Sequence, residues 1–139
     1  MSKNDYYSIA IDEIDIVEVL MHAEKYNYSA MHAQQAIEKL LKSVVPLVCT
    51  VDVENLQRGH NLVVIYKAIH EHLSTFGLDL YKLRYIKDFY YDTRYPGENF
   101  EWITKEECEM ACDYMYTVLK AVNDVRTLAG LNIIEKEKE

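Results

Sequence analysis

The chain has 139 residues, enough for one domain and not comfortably for two. Glycine (4) and proline (2) are scarce and half of the residues are apolar, which excludes a turn-rich all-β fold and bulk disorder. The net charge of −8 argues against a broad duplex-DNA binder, which needs a basic footprint.

Apolar residues at three- and four-residue spacing predict five helices. The first runs from Asp5 to Lys25, with Ile9, Ala10, Ile14, Val17 and Met21 on one face. Tyr26-Asn27-Tyr28 reads as an interruption, and Ser29 as the cap of a second helix that ends at Val45. Ala33, Ile37, Leu40, Leu41 and Val44 form its apolar stripe, and Pro46 is expected to stop or kink it. Residues 49–60 lack a helical period and read as a loop. The third helix begins near Asn61, carries Leu62, Ile65, Tyr66, Ile69 and Leu73, and ends at Phe76-Gly77, with Gly77 as a left-handed terminus. The fourth runs from Asp79 to Asp92, and Arg94-Tyr95-Pro96-Gly97 is a turn. Thr104 opens the fifth, where Glu107 completes a capping box. Cys108, Ala111, Cys112, Met115, Leu119 and Val122 give its stripe, which fades at Leu128–Gly130. The expected fold is all-α, an antiparallel up-and-down bundle of about five helices. It forms a single domain over residues 1–130, followed by a charged C-terminal tail, 131–139, that is expected to be solvated at Glu135–Glu139.

No stretch approaches the ~18 apolar residues of a membrane span. The longest candidate, Leu40–Val51, contains Lys42 and Pro46. The start, Met1–Asp5, is polar and lacks a signal-peptide core, and three cysteines fit reduced thiols, so a cytoplasmic protein is expected. The negative charge is uneven. Residues 1–27 hold six acids and two bases, and residues 100–139 hold nine and five. Residues 28–60 (three of each) and 61–99 (five of each) are balanced. Net charge therefore leaves room for a small phosphate-bearing or single-stranded ligand in the middle of the chain.

Several constellations bear on chemistry. His32, Gln35, Lys39 and Lys42 fall within an arc of about 80° on the second helix. They offer ammonium and amide donors to a phosphate or a base edge, or form a plain solvated face with Glu38–Lys42 as an i,i+4 pair. Arg94 sits in the Pro-Gly turn, as a phosphate fork or as a partner of Asp92 or Glu98. Arg58-Gly59-His60-Asn61 precedes a helix, as an anion site or simply as its cap. Cys108 and Cys112 lie on the apolar stripe and lack further ligands at metal spacing, and His70 and His72 do not share a helix face. No Gly-rich phosphate loop, G-x-S-x-G or H-E-x-x-H occurs, so neither metal nor cofactor is expected. Tyr81, Tyr85, Tyr90 and Tyr91, rimmed by Lys82 and Lys87, form either a contact surface or part of the core.

The run Tyr28-Ser29-Ala30-Met31-His32-Ala33-Gln34-Gln35-Ala36-Ile37-Glu38-Lys39-Leu40-Leu41-Lys42 resembles the signature helix of the HEPN (higher eukaryotes and prokaryotes nucleotide-binding) family. His60-Asn61-Leu62 and Arg94-Tyr95-Pro96 resemble its later motifs, in the same order. The resemblance implies an all-α up-and-down bundle, commonly a homodimer. Many prokaryotic members act beside a minimal nucleotidyltransferase in toxin–antitoxin pairs, and others are metal-independent ribonucleases carrying Arg, four to six residues, then His. Here Arg58 leads to Val63, Val64 and Ile65, and Arg84 to Phe89, Tyr90 and Tyr91. Arg94 leads to Asn99, Phe100 and Glu101, and Arg126 to Leu131, Asn132 and Ile133. The histidine that would move a proton beside an arginine is missing at this spacing.

The expectation is a nucleotide-, nucleic-acid- or partner-binding domain without catalysis. Its ligand-binding residues are expected to be Gln35, Lys39, Lys42, His60, Arg94 and Tyr95. The cations would pair phosphate, Gln35 would read a base edge or ribose hydroxyl, and Tyr95 would stack. The alternatives are a divergent ribonuclease toxin using His60 and Arg94, and a pure protein-interaction module built on the tyrosine-rich helix.

Overall fold

A computed structural model describes residues 5–138, with only the backbone for Tyr91. Met1–Asn4, on which the polar start was read, and Glu139 lie outside the described residues. The described chain is helical without strands: α1 (Tyr6–His22), α2 (Tyr26–Val48), α3 (Val53–Arg58), α4 (Leu62–His72), α5 (Leu80–Ile86), α6 (Phe89–Asp92) and α7 (Lys105–Leu128).

The helix starts follow the capping rules. Asp5, Asn61 and Asp79 each accept backbone N–H groups of the following turn, and Thr104 and Glu107 form the reciprocal capping box. Elsewhere tertiary contacts override the local signals. α2 starts at Tyr26, so Ser29 is not its cap. The Ser29 hydroxyl is fully buried and donates to the Val17 carbonyl of α1 at 2.8 Å. Pro46 lies inside α2, which continues to Val48. Proline brings no N–H, so the carbonyl of Lys42 loses its helical donor. Gln57 of α3 replaces that donor, its Nε2 reaching Lys42 O at 3.3 Å. The segment read as a loop thus contains the helix that repairs the proline break.

The third predicted helix stops earlier than Gly77. α4 ends at His72 with Leu73 as its C-cap, and Gly77 does not adopt a positive φ. Phe76 instead turns inward and is almost fully buried beside Tyr66, while its carbonyl faces His70 Nδ1 at 2.9 Å. The fourth predicted helix is broken between Ile86 and Phe89 into α5 and α6.

α2 is the hub, packing on α1, α3, α4, α6 and α7. Ile14, Ile37, Leu40, Leu41, Leu62, Ile65 and Met115 are fully buried around it. Contacts set the directions. Tyr7 meets Asn123 and Glu18 meets Cys112 and Tyr116, so α1 and α7 are antiparallel. Tyr85 meets Glu107 while the Asp79 carbonyl meets Tyr114, so α5 is antiparallel to α7. Residues 131–138 fold back along α1 and α7, through contacts of Ile134, Lys136 and Lys138. Among the described residues no helix is long and apolar enough to cross a membrane.

Candidate functional site

The signature face of α2 is a hydrogen-bonded chain. Gln35 Nε2 donates to Gln34 Oε1 at 2.6 Å, and Gln34 Nε2 reaches Glu38 Oε1 at 3.4 Å. The other Glu38 oxygen accepts from Lys42 Nζ at 3.0 Å and lies 3.2 Å from His60 Nδ1. Gln34, Glu38 and Lys42 are buried, whereas the His60 side chain is 75% exposed. One carboxylate therefore ties a buried ammonium on α2 to an imidazole at the start of α4.

This chain forms one wall of a cleft of about 200 Å³, lined by Gln34, Gln35, Glu38, His60, Lys87 and Tyr90. Lys87 and Tyr90 come from the junction of α5 and α6, where the fourth predicted helix is broken. Arg94 adjoins the cleft through Tyr90. Its Nη1 donates to Tyr90 Oη at 2.7 Å, and its guanidinium lies 5.0 Å from the Tyr90 ring and 5.5 Å from the Tyr95 ring. Tyr90 and Tyr95 meet edge to face.

Asn27 holds the Arg94 turn in place. Its Nδ2 donates to the carbonyls of Thr93 (3.2 Å) and Glu101 (2.8 Å), and its Oδ1 accepts from Ile103 N at 2.6 Å. Every hydrogen-bonding capacity but one of this buried amide is thus spent on the chain that carries Arg94.

Of the residues singled out in the sequence, Gln35 and His60 line the cleft, and Arg94 and Tyr95 flank it. Lys42 does not offer its charge there: its ammonium is buried against Glu38, 5.5 Å from the Tyr6 ring centroid. Lys39 is directed to Glu13 of α1, whose other oxygen lies 2.7 Å from His32. Burial pulls the Glu13 carboxyl up, but hydrogen bonds from His32 and Lys39 and their charges outweigh it, leaving the group below its ordinary range. Arg58 pairs with Glu54 in the open, and Asn61 caps α4 through the N–H groups of Val63 and Val64. Lys87 and Tyr90, which sequence reasoning placed on a tyrosine patch, line the cleft, and Lys87 Nζ pairs there with Asp88 Oδ2 at 2.9 Å.

Cys108 and Cys112 are buried thiols. Burial pushes both up, and for Cys112 the Glu18 carboxylate, which accepts from its Sγ at 3.4 Å, adds to that. No group of metal-binding side chains occurs among the described residues. Tyr81 is 82% exposed, and Tyr85 donates to Glu107. Burial, reinforced by that carboxylate, raises the Tyr85 phenol to about 12. The Tyr91 side chain lies outside the described set.

The structure is thus an all-helical bundle that sets a polar α2 face, a His-Asn-Leu helix start and an Arg-Tyr-Pro turn around one cleft. The chain matches the HEPN domain model over residues 4–125, and it belongs to that family. No curated protein and no solved structure matches it.

Proposed function

We propose that this HEPN domain binds a phosphate-bearing nucleotide or a single-stranded RNA segment at the Gln35–His60–Tyr90 cleft, without cleaving it. The observation that carries this reading is the Arg94–Tyr90 contact at the cleft edge. It sets a guanidinium fork and an aromatic ring beside Lys87, His60 and the Gln35 amide. Lys87 and Arg94 pair phosphate, a base stacks on Tyr90 or Tyr95, and Gln35 reads a base edge or ribose hydroxyl. Lys39 and Lys42 support the face from behind, since each is committed to a carboxylate that is itself largely shielded from solvent, whereas the Asp88 partner of Lys87 is exposed and a phosphate can compete with it.

The test is titration of the purified protein with ATP, other nucleotides and short RNA. Binding that weakens in Arg94→Ala and Gln35→Ala is expected. No binding, or binding unchanged in both variants, rejects the reading. The proposed setting is a homodimer in the cytoplasm, acting beside a minimal nucleotidyltransferase in a toxin–antitoxin pair. Mass in solution, alone and with the product of the adjacent gene, tests it, and a strict monomer with no partner counts against it.

One observation favours a ribonuclease instead. His60 and Tyr90 line the same cleft, and Arg94 is bonded to Tyr90, so an imidazole and a guanidinium flank one opening despite their separation in sequence. Incubation of RNA with the protein in EDTA separates the readings. Intact RNA at high protein concentration removes the enzyme, and cleavage abolished by His60→Ala establishes it.

A further inference from the structure

A second set of directed polar contacts lies at the α1–α7 seam, away from the cleft. After α7 the chain turns at Gly130, whose φ is +76°, and residues 131–138 return along the seam between α1 and α7. The grip on this segment is on its backbone. Ile134 N donates to Tyr7 Oη at 2.8 Å, and the Ile134 carbonyl accepts from Asn123 Nδ2 at 3.0 Å. The Tyr7 hydroxyl in turn donates to Asn123 Oδ1 at 2.7 Å. Tyr7 and Asn123 are only 4% and 6% exposed. Two buried side chains from different helices therefore offer one acceptor and one donor to a single non-helical residue, as a neighbouring strand would.

Charge complements that grip. Lys136 Nζ meets Asp15 Oδ1 of α1 at 2.7 Å, and Lys138 Nζ meets Asp113 Oδ1 of α7 at 2.8 Å. Positions 134, 136 and 138 follow the two-residue spacing by which an extended chain presents one side. The segment leaves about 490 Å³ of open space against α7. Its hold consists of two backbone hydrogen bonds at Ile134, an exposed one from Arg126 Nε to Asn132 O at 3.0 Å, and two partly exposed ion pairs. No residue of the segment is buried, so it can open locally while the bundle stays folded.

We propose that the α1–α7 seam is a peptide-binding site for an extended segment of defined chemistry. That segment has an aliphatic residue gripped by its backbone and lysines two and four residues on. Residues 131–138 occupy the site in cis as a displaceable latch, and a partner segment of the same chemistry enters by displacing them.

The probe is a fluorescein-labelled peptide of residues 130–139 (GLNIIEKEKE), titrated into the full chain and followed by anisotropy. The full chain carrying Lys136→Glu and Lys138→Glu repels its own segment from Asp15 and Asp113. It is expected to bind the peptide roughly tenfold more tightly than the unaltered chain, because the tethered competitor is gone. A peptide with both lysines replaced by glutamate is expected not to bind, and Asn123→Ala in the opened chain is expected to remove binding. In the unaltered chain the Ile134 amide is expected to be protected from hydrogen exchange, with protection lost in Tyr7→Phe. Equal binding to the opened and unaltered chains, equal binding of the charge-reversed peptide, or an unprotected Ile134 amide overturns the proposal. Should Tyr7→Phe unfold, Ile134→Pro deletes the same N–H without touching a helix. It is expected to raise peptide affinity as the double glutamate variant does, and an unchanged affinity overturns the proposal.

Discussion

Lys42 and Glu38 face each other across one turn of α2, Nζ to Oε2 at 3.0 Å, with 4% and 3% of their surfaces exposed. A pair exposed at the surface contributes little, but a pair this deep is costly to halve. Lys42→Met leaves Glu38 with only His60 and the Gln34 amide and is expected to lower stability by about 3–5 kcal/mol. The double variant Glu38→Leu/Lys42→Met removes both charges and is expected to recover much of that loss. Urea unfolding of the three proteins measures the difference. A single-variant loss below about 1 kcal/mol would place the pair with surface pairs.

Asn27 is expected to matter through the Arg94 turn. Asn27→Ala strands the Ile103 N–H and frees the carbonyls of Thr93 and Glu101. Leaving such groups unpaired in a buried position costs about 1–3 kcal/mol per group that fails to find water. The expected result is a stability loss at the upper end of that range and faster amide exchange across residues 93–103. Exchange unchanged there would show that Pro96 and Gly97 hold the turn alone.

Glu13 gives an acid-side prediction. Its carboxyl lies below its ordinary value of 4.5 in the folded chain, because the hydrogen bonds and charges of His32 and Lys39 outweigh its burial. A depressed folded value contributes stability that is fully present above 4.5 and is lost as pH falls through the lowered value. The stability gap between the unaltered chain and Glu13→Gln is therefore expected to be constant near neutrality and to narrow below pH 4.5. Chemical denaturation at a series of pH values reads it, and a gap that stays constant into strong acid refutes the assignment.

Much of this architecture is legible in the sequence because it is local. Ile14, Ile37, Leu40 and Met115 lie on stripes whose period alone predicts burial, and Asn61 and Thr104–Glu107 cap helices through atoms three residues away. What is not legible depends on partners far along the chain. Pro46 reads as a stop, since nothing local shows that Gln57 will take up the Lys42 carbonyl. Asn27 reads as an interruption, although its amide ties α2 to residues 93–103. The α2 stripe reads as four equivalent polar residues, yet the fold sends Lys39 to Glu13, buries Lys42 on Glu38 and leaves Gln35 at the cleft. Lys87 and Tyr90, which line that cleft, flank a helix break between Ile86 and Phe89 that no glycine or proline marks.

Arg94 separates recognition from architecture most directly. Its guanidinium is exposed, bonded to the Tyr90 hydroxyl and set beside two rings, so it contributes little to the core. Arg94→Ala is expected to change stability by less than about 0.5 kcal/mol, as surface substitutions do. The same variant is expected to weaken ATP or RNA binding by about tenfold, since it removes a charge-assisted contact to phosphate. Arg94→Lys keeps the charge but loses the planar fork and the stacked face, so it is expected to restore only part of the affinity. If the fork is what matters, the lysine variant keeps the salt dependence of the unaltered protein while binding more weakly at every salt concentration. Lysine and arginine binding equally well would reduce Arg94 to a point charge, and alanine binding as well as arginine would remove it from the site.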